Sequence, residues 1–491
     1  MRSITCDVVV VGAGPAGASA AAHLARAGRD VIVLERAVFP RDKVCGGGLT
    51  PRAVRELVEL GLAPPERWKT NRGLRVYGGG HVLELPWPET STYPSFGLAT
   101  TRRDLDHTLV EHARACGARI IEGATVTGPL LDHARRVTGV TARLSEHAHD
   151  GGPSPRDEAR PAGAASDGGP PPRDEKVVSL NSRHGNCAKR PSRGGGGWGG
   201  EGWEGGEGGE GWVGWVGWEG PGEVSVLAPI VLAADGAASR LALAVGRERL
   251  PRRPVGVALR ATFRAERTDA RADDFLESHL ELWAGPPGRS HLLPGYGWVF
   301  PLAGGMINVG CGSVSTRPTP TINWQTHFSS WLPHLPGWEL DAADTVDPPR
   351  SAPLPMAFNR KPLAQDGLLL LGDAAGLVSP FNGEGIPHAL LSGRLAAAAA
   401  NQALSRSTPD KALAAYPRHL AHELGGYYTL GRIFVELIEH PAVMRLCTRY
   451  GLPRRTLMGF TMKLLSGLYD ERHGNWMDQL IATLARLAPD A

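Results

Sequence analysis

The sequence predicts an α/β protein with a Rossmann-like nucleotide-binding domain, an antiparallel β-sheet domain for the substrate and a C-terminal helical region. Three observations predict this class. Residues 6–35 contain a β-branched run, a glycine-rich turn, an alanine-rich stretch and a second apolar run ending in an acid. Residues 255–350 alternate short apolar runs with loops. Residues 406–491 show helical apolar periodicity.

The elements of the first 130 residues follow from local patterns. CDVVVVG is suited to a buried parallel strand, and DVIVLE to the next one. Between them, ASAAAHLARAG predicts a helix that Gly28 closes. Residues 51–61 predict a helix with Pro51 at its start and Gly61 at its end. RRDLDHTLVEHARACG predicts a further helix, and ARIIEGATV a strand after it.

Later elements are predicted in the same way. VGVALRATFRA, SHLELWAG and YGWVFPLAGGMINVGCG have the composition of strands in an antiparallel sheet. DGLLLLGDAAG predicts a buried strand followed by a turn, and GIPHALLSGRLAAAAANQAL predicts a helix. The helical C-terminal region is interrupted at Pro441, Gly451 and Pro453.

Composition and charge exclude several classes of protein. The chain has 491 residues, of which 42% are hydrophobic, so it is long enough for more than one lobe. Its net charge of +3 is too small and too evenly spread to favour nucleic-acid binding. The cysteines form no CxxC pair, so we expect reduced thiols, no disulfide framework and no metal site.

The apolar stretch at residues 8–27 is not expected to enter a membrane. Gly12, Gly14, Pro15 and Gly17 interrupt it, whereas a membrane span needs about 20 apolar residues and a signal peptide needs a basic start. We therefore expect a cytoplasmic protein that is soluble or peripheral to a membrane.

Residues 144–223 differ sharply in composition from the rest of the chain. They are rich in Gly, Pro, Ser, Asp and Arg, and include five tryptophans from Trp198 to Trp218. Such a sequence buries too little apolar surface to offset the entropy of ordering. We predict a largely disordered insertion at the tip of a hairpin or meander, between RVTGVTAR and EVSVLAPIVLAAD. The tryptophans fit either an interaction tract or a low-complexity expansion without a specific role.

The first motif with a chemical role is the glycine-rich segment Gly12-Ala13-Gly14-Pro15-Ala16-Gly17. It follows a strand and opens a helix, the context that dinucleotide binding demands. Gly12 allows the tight turn, Gly14 lets the backbone approach a pyrophosphate, and Gly17 allows close helix–strand packing. Glu35, followed by Arg36 in the same predicted site, is placed to bind the adenosine ribose, and its charge disfavours NADP.

Two later motifs decide between FAD and NAD. Asp235 and Gly236 follow a strand in an ADG turn, and a GDAAG turn follows another strand shortly before a glycine-rich helix start. An Asp at a strand end can bind a ribitol or ribose hydroxyl, and a helix start can hold pyrophosphate or the flavin O2 region. The second group of predicted cofactor-binding residues is Gly372, Asp373, Ala375, Pro380, Gly383, Gly385 and Ile386.

These motifs, in this order, resemble the FAD fingerprints of the flavoproteins typified by p-hydroxybenzoate hydroxylase. That resemblance implies a flavin contact for Arg102; the alternative is a solvated cation at a helix start. Residues 40–53, PRDKVCGGGLTPRA, and 294–301, PGYGWVFP, more specifically resemble segments of the geranylgeranyl reductase family. The resemblance covers nearly the whole chain outside the insertion.

In that family the two segments would lie near the isoalloxazine ring and the substrate pocket. The resemblance implies that Cys45 lies near the ring and that the backbone of Gly46, Gly47 and Gly48 passes close to the flavin. It implies an aromatic wall made by Tyr296 and Trp298. Ordinary packing is the alternative for Cys45 and for both aromatic residues. Lys43 either neutralises a phosphate or is a surface cation, and we favour the surface cation.

The resemblance implies an FAD-dependent reductase that saturates isolated carbon–carbon double bonds of isoprenoid chains. Cys45, Tyr296 and ordered water are all candidates for the proton donor. No second dinucleotide fingerprint is visible, so the electrons would come from visiting NAD(P)H or from a ferredoxin-like or quinol donor. The alternatives are a flavin-dependent monooxygenase, a halogenase on the same fold and a non-catalytic scaffold. Tyr296 stands where the halogenase WxWxIP motif has its first Trp, which disfavours a halogenase.

We expect three domains around the insertion. The FAD-binding domain takes 1–143, 224–254 and 351–405, and the substrate domain takes 255–350 with a contribution from 65–100. The C-terminal region, 406–491, mixes apolar stripes with basic residues. This pattern suits a helix on an anionic membrane, a cap over a substrate tunnel, or ordinary packing with a solvated basic face. The basic residues are Arg445, Arg449, Arg454, Arg455 and Lys463. The sequence does not predict the oligomeric state.

Overall fold

A computed structural model of the chain describes residues 2–149, 221–285, 290–316, 322–406, 409–470 and 473–489. Most of the predicted insertion, including its tryptophans, lies outside the described residues. The strands are β1 (Arg2–Thr5), β2 (Val8–Val11), β3 (Val31–Leu34), β4 (Gly48–Leu49), β5 (Lys69–Asn71), β6 (Gly73–Gly78), β7 (His81–Pro86), β8 (Gly97–Ala99), β9 (Arg119–Leu131), β10 (Val137–His149), β11 (Gly222–Leu227), β12 (Ile230–Ala233), β13 (Val255–Arg264), β14 (Leu276–His279), β15 (Trp283–Ala284), β16 (His291–Leu292), β17 (Gly295–Pro301), β18 (Met306–Ser315), β19 (Thr345–Pro355), β20 (Ala364–Gln365) and β21 (Leu368–Leu370).

The helices surround these strands. They are α1 (Pro15–Arg26), α2 (Pro51–Glu59), α3 (Arg102–Ala115), α4 (Arg240–Ala244), α5 (Trp324–Trp331), α6 (Ile386–Leu404), α7 (Pro409–Leu413), α8 (Ala415–Ile438), α9 (Pro441–Leu446), α10 (Arg455–Ser466) and α11 (Trp476–Leu487). Among the described residues, the predicted helices after Gly14, Pro51, Arg102 and Gly385 are therefore confirmed.

The first sheet has nine strands in the order β1-β11-β10-β9-β3-β2-β12-β21-β20. Strands β3, β2, β12 and β21 run parallel, and their residues are all buried. Continuous apolar runs such as VVVV and IVLA are typical of parallel strands covered on both faces. This sheet confirms the predicted Rossmann-like α/β class.

Strands β10 and β11 flank the segment 150–220. They pair antiparallel from Gly139 opposite Leu227 to Leu144 opposite Gly222. Strand β10 continues to His149, so residues 144–149 are strand where the sequence prediction began the insertion.

The second sheet has the order β19-β13-β18-β17-β14-β6-β7. It is antiparallel as predicted, except that β14 and β6 run parallel. Strands β6 and β7 come from the stretch 65–100, and β19 crosses the predicted domain boundary at residue 351. The predicted strand SHLELWAG is divided, because β14 ends at His279 and β15 begins at Trp283.

Helix α6 packs closely on α1 and brings two predicted cofactor motifs to one side of the first sheet. A Cβ atom added at Gly393 of α6 would lie 2.4 Å from the carbonyl oxygen of Ala16. The Ser19 hydroxyl donates to the carbonyl oxygen of Leu390 at 2.9 Å. Glycine at this position therefore sets the distance between the helices.

The C-terminal helices are tied to the same sheet by buried tyrosines of α8. Tyr416 and Tyr428 donate to the carbonyl oxygens of Leu370 and Leu377, at 2.7 and 2.6 Å. In the described ranges we find no helix with the length and apolar character needed to cross a membrane.

Two expectations about charged and sulfur-bearing residues are corrected. Lys463, predicted as part of a basic face, is buried and bonds both carboxylate oxygens of Asp478 at 2.8 Å. Four described cysteines are free thiols, but Cys116 is disulfide-bonded, contrary to the expectation of reduced thiols.

Candidate active site

The turn after β2 is built around its glycines. Gly12 has a φ of +98°, and a Cβ atom there would lie 2.5 Å from the carbonyl oxygen of Ala234. A Cβ atom on Gly17 would lie 1.9 Å from the carbonyl oxygen of Gly12. Above Gly14 the nearest described atom is Nη2 of Arg41, 3.9 Å from an added Cβ. The backbone that opens α1 is thus accessible to an anion, the arrangement that binds a pyrophosphate.

Glu35 follows β3 and points back at this turn. The side chain is buried, and its carboxylate accepts the backbone N–H groups of Ala13 at 2.9 Å and Ala37 at 3.0 Å. A carboxylate has about four acceptor positions, so capacity remains for ribose hydroxyls. Arg36, the next residue, is exposed.

Two arginines share one buried carboxylate beside the glycine turn. Asp106 accepts from Nη1 of Arg41 at 2.7 Å and from Nε and Nη2 of Arg102 at 2.8 and 2.7 Å. Burial alone would raise the pKa of Asp106, but the charges of Arg102 and Arg41 outweigh it and hold the pKa below its ordinary value. Nη2 of Arg41 lies 3.8 Å from Oε2 of Glu35 and 3.9 Å from a Cβ atom added at Gly14, where it could also reach a phosphate.

The two predicted strand-end carboxylates have different surroundings. Asp235 accepts the Ser239 hydroxyl at 2.7 Å and the Leu241 backbone N–H at 3.2 Å, so it fixes the start of α4. Gly236 beside it has a φ of +80°. Burial raises the pKa of Asp235. Its oxygens are thus engaged within the protein rather than directed wholly at a ligand.

Asp373 faces the other motifs. Lys43 donates to it at 3.0 Å, so the predicted surface cation, whose side chain is 38% exposed, is paired with this carboxylate. An added Cβ atom on Gly385 would lie 3.6 Å from Oδ1 of Asp373. Burial would raise the pKa of Asp373, but the charges of Lys43 and Arg102 outweigh it and lower the pKa.

The helix α6 begins beside Asp373 without a side-chain cap. Gly385 is its N-cap residue, and no side chain there bonds the first N–H groups of the helix. Uncapped N–H groups at a helix start are donors available to a ligand. The turns that lead to this point contain Gly372 and Gly383 with φ of +52° and +71°, and buried Ala375 and Pro380.

The glycines after Cys45 pack against this protein's own atoms. Cβ atoms added at Gly46 and Gly48 would each lie 2.9 Å from Cε2 of Phe300. Gly47 has a φ of +75°, and its added Cβ atom would lie 2.2 Å from the carbonyl oxygen of Thr100. The Cβ positions of these glycines are therefore occupied by a ring of β17 and by backbone, and the expected approach of their backbone to a flavin stays a prediction.

Aromatic side chains follow one face of β17. Tyr296, Trp298 and Phe300 have ring centroids separated by 6.1 and 6.2 Å along the row. Trp298 is buried, and its indole N–H donates to Oδ1 of Asn308 at 2.9 Å. The amide of Asn308 in turn donates to the carbonyl oxygen of Cys45 at 3.1 Å. The aromatic row is thereby bonded to the Cys45 loop.

The other end of the row meets the loop before α6. The Tyr296 hydroxyl donates to the carbonyl oxygen of Asn382 at 2.6 Å. Next to Asn382, the Glu384 carboxyl accepts the Thr50 hydroxyl at 2.6 Å. Residues 45–50, the aromatic row and the loop 380–385 therefore surround one region at the start of α6.

Comparison with known proteins identifies the family. Residues 5–153 match the family model described as an FAD binding domain. Over 477 residues the chain is 33% identical to menaquinone reductase of Mycobacterium tuberculosis, covering 96% of this chain and 94% of the relative. The chain belongs to the geranylgeranyl reductase family of FAD-dependent oxidoreductases.

One further relative and two solved structures are also similar to this chain. Digeranylgeranylglycerophospholipid reductase 1 of Methanopyrus kandleri is 28% identical over 410 residues, 81% of each chain. A geranylgeranyl bacteriochlorophyll reductase-like protein of Thermoplasma acidophilum superposes with a TM-score of 0.67 at 18% identity, over 98% of this chain and 100% of the other. The flavin-dependent brominase Bmp2 shares the fold with a TM-score of 0.61, at 16% identity and 98% coverage of both chains.

The residues of this geranylgeranyl reductase family member fit FAD. The open backbone above Gly14, with Arg41 beside it, could hold the pyrophosphate, and Glu35 could hold the ribose. The uncapped start of α6 beside Asp373 could hold the flavin O2 region. Sequence reasoning gave no role to Arg41, although the segment at 40–53 contains it, nor to Glu384, although it lies inside the glycine-rich helix start. Nothing in the sequence singled out Asn308.

Proposed function

We propose that this protein saturates carbon–carbon double bonds in an isoprenoid chain, either geranylgeranyl or polyprenyl. The observation that carries the proposal is the aromatic row of Tyr296, Trp298 and Phe300 between the Cys45 loop and the start of α6. Apolar rings beside a flavin site suit an unsaturated hydrocarbon chain. The names of the two relatives, a menaquinone reductase and a digeranylgeranylglycerophospholipid reductase, support the same substrate class.

The chemistry divides between cofactor and protein. When bound and reduced, FAD supplies a hydride to one alkene carbon. An isolated alkene is a poor hydride acceptor, so the protein must hold the double bond in place, exclude water and supply a proton to the other carbon. We propose that Tyr296 and Phe300, both half-buried, contact the chain. Trp298 holds the Cys45 loop through Asn308, and Cys45 borders the reaction site.

We propose that NAD(P)H or a ferredoxin-like donor reduces the flavin. Chemical reduction of the flavin with dithionite makes the functional test independent of the natural electron donor. The holoenzyme is reduced anaerobically and mixed with geranylgeranyl diphosphate or with a menaquinone that has an unsaturated tail. Flavin reoxidation, with a product heavier by a pair of hydrogens per saturated bond, is the expected result. Flavin that stays reduced until oxygen is admitted, followed by an oxygenated or halogenated product, overturns the proposal.

We further propose that the C-terminal helices rest on an anionic membrane, where a polyprenyl substrate would reside. A groove of about 650 Å³ lies between α10 and α11, lined by both arginine and apolar side chains. Basic residues beside exposed apolar ones suit a surface that meets acidic lipid headgroups. The exposed residues of this face, which we call the C-terminal face, are Arg445, Leu446, Arg449, Tyr450, Arg454, Arg455, Leu457, Trp476, Leu480 and Leu487.

A further inference from the structure

The carboxyl group of Glu384 lies beside the aromatic row of the proposed substrate site, near Tyr296. It precedes α6, and Oε1 accepts the Thr50 hydroxyl at 2.6 Å. The surrounding turn is fixed, because the Glu384 backbone N–H donates to Oδ1 of Asn382 at 3.1 Å and its carbonyl accepts from Ser379 at 2.8 Å. The Glu384 side chain is only partly covered, as are those of Thr50, which bonds it, and of Tyr296.

Several titratable groups surround this carboxyl from neighbouring elements. The guanidinium of Arg52 on α2 acts on it through its charge, while Nη2 donates to the Gly467 carbonyl at 2.6 Å. His388 on α6 has Nδ1 3.2 Å from the Glu384 carbonyl oxygen, and burial lowers its pKa to about 3, so its ring is neutral. The remaining groups are Cys45 of the loop, Tyr296 of β17, Asp373 before α6, and Tyr427 and Tyr428 of α8.

The candidate proton donors in this region differ in how readily they release a proton. The Tyr296 hydroxyl already donates to the Asn382 carbonyl, and burial raises its pKa, so it holds its proton firmly. Burial also raises the pKa of Glu384, although the Thr50 hydroxyl and the Arg52 charge oppose that rise. A carboxyl group with a raised pKa remains a stronger acid than a phenol and carries its proton closer to neutral pH.

We propose that Glu384 supplies the proton that completes reduction of the double bond, an inference that rests on the proposed isoprenoid reductase function. The hydride from the reduced cofactor brings two electrons and forms one C–H bond. The alkene π pair forms the second C–H bond with the Glu384 proton as the O–H bond breaks. The resulting carboxylate faces the Thr50 hydroxyl and the Arg52 charge, and solvent returns a proton to it.

The test compares Glu384→Gln and Glu384→Asp with the exposed control Glu423→Gln on α8. Each holoenzyme is reduced with dithionite, and flavin reoxidation by the unsaturated substrate is followed in a single turnover across pH. We expect Glu384→Gln to slow reoxidation roughly 100-fold or more while binding FAD as the wild type does. Glu384→Asp should recover part of the rate. The wild-type rate should fall as pH rises through the Glu384 pKa, and Glu384→Gln should lack that fall.

A second measurement is independent of turnover. The infrared carbonyl band of a protonated carboxyl should persist in the oxidised wild-type holoenzyme above the ordinary glutamate pKa, and Glu384→Gln should lack it. If Glu384→Gln reoxidises its flavin at the wild-type rate with the same pH profile, the inference is overturned and the reductase function stands. If Glu384→Gln merely loses FAD, the inference is also overturned. A wild type that reduces no isoprenoid overturns both.

Discussion

The side-chain amide of Asn308 donates a 3.1 Å hydrogen bond to the carbonyl oxygen of Cys45, a residue 263 positions earlier in the chain. The same amide group accepts from the indole of Trp298 at 2.9 Å, so one side chain joins the second sheet to the loop beside the proposed flavin. Asn308 is buried, and water cannot replace a lost partner easily. The position of the Cys45 loop therefore depends on this side chain.

Substitution of Asn308 should loosen that loop. Asn308→Ala should lower the free energy of unfolding by about 1–3 kcal/mol, because it leaves buried polar groups unpaired, and should speed FAD release. Asn308→Asp keeps the acceptor for Trp298 but places a buried carboxylate oxygen against the Cys45 carbonyl oxygen, so it should speed FAD release at least as much as Asn308→Ala. Denaturant titration and flavin fluorescence measure the two effects. The control is Asn323→Ala, which removes the cap of α5 and should lower stability without changing FAD release. Equal rates of FAD release from all three variants would contradict the prediction.

Arg41 should contribute directly to FAD affinity. Arg41→Ala removes the guanidinium that lies beside Gly14 and bonds Asp106 at 2.7 Å. Hydrogen bonds to charged groups contribute about 1.5–3 kcal/mol, which corresponds to roughly 10- to 150-fold weaker binding. Titration of apoprotein with FAD measures it, and exposed Arg103→Ala on α3 is the matched control. Wild-type affinity in Arg41→Ala would show that the phosphate lies elsewhere.

Two glycines at the ends of α1 allow a severe and a mild substitution to be compared. Gly17→Ala would place a Cβ atom 1.9 Å from the Gly12 carbonyl oxygen, so α1 must move away from the turn. We expect loss of FAD binding and of most soluble protein. Gly28→Ala has no described atom within 4 Å of its added Cβ, and only its φ of +81° opposes it. That variant should bind FAD and lose about 1 kcal/mol of stability. Flavin content per chain measures both, and equal behaviour would refute the packing argument.

How far sequence predicts this structure depends on the range of each interaction. Gly12, Gly17 and the starts of α1 and α6 were predictable, because a strand, a glycine turn and a helix follow one another within about a dozen residues. Glu35 was predictable for the same reason. The bonds of Lys43 to Asp373 and of Ser239 to Asp235 were not, since the partner of Lys43 is 330 residues away and no motif indicates that Asp235 accepts from the start of α4.

The charge of a residue also fails to predict its role when its ion-pair partner belongs to no recognisable motif. Lys463 was predicted to belong to a basic face with the arginines of the same region. It is instead buried and bonds Asp478 on the next helix. The glycines at 46 and 48 were predicted to allow close approach to a flavin, whereas the group nearest to their added Cβ atoms is the ring of Phe300, which the sequence did not indicate. Periodicity identifies which element a residue belongs to, whereas the contact it makes depends on the assembled tertiary structure.

A buried cluster of charged residues in the second sheet should make the free energy of unfolding depend on pH in the acid range. Glu277, fully buried, accepts from Arg75 at 2.8 Å and from Trp338 at 3.0 Å, and it also bonds Arg267. Burial would raise the pKa of Glu277, but the nearby His279 ring, with Nε2 3.8 Å from Oε2 of Glu277, the hydrogen bond from Trp338 and the charge of Arg267 outweigh it and lower the pKa. A lowered pKa gives stability that is complete above the ordinary value of 4.5 and is lost as pH falls through the folded pKa.

Glu277→Gln should therefore lose about 1–3 kcal/mol at neutral pH, because Arg75 and Arg267 lose the carboxylate they share and keep only their more exposed partners, Glu84 and Asp269. Its unfolding free energy should also decline less than that of the wild type between pH 5 and the acid limit, as measured by denaturant titration. Exposed Glu266→Gln in the same lobe is the control. Parallel acid profiles for wild type and Glu277→Gln would show that other carboxyls govern acid unfolding.

The C-terminal face should bind vesicles through charge and apolar contact together. Each basic residue near an acidic bilayer contributes about 1 kcal/mol, so Arg454→Gln with Arg455→Gln should lower partitioning roughly 30-fold. Trp476→Ala should weaken binding at high salt as well, because apolar contact is not screened. Co-sedimentation of the holoenzyme with phosphatidylglycerol and with phosphatidylcholine vesicles measures both, with exposed Arg264→Gln of the second sheet as the matched control. If the double arginine variant binds acidic vesicles as the wild type does, this face does not meet the membrane, and a cap over the substrate or a solvated surface becomes its role.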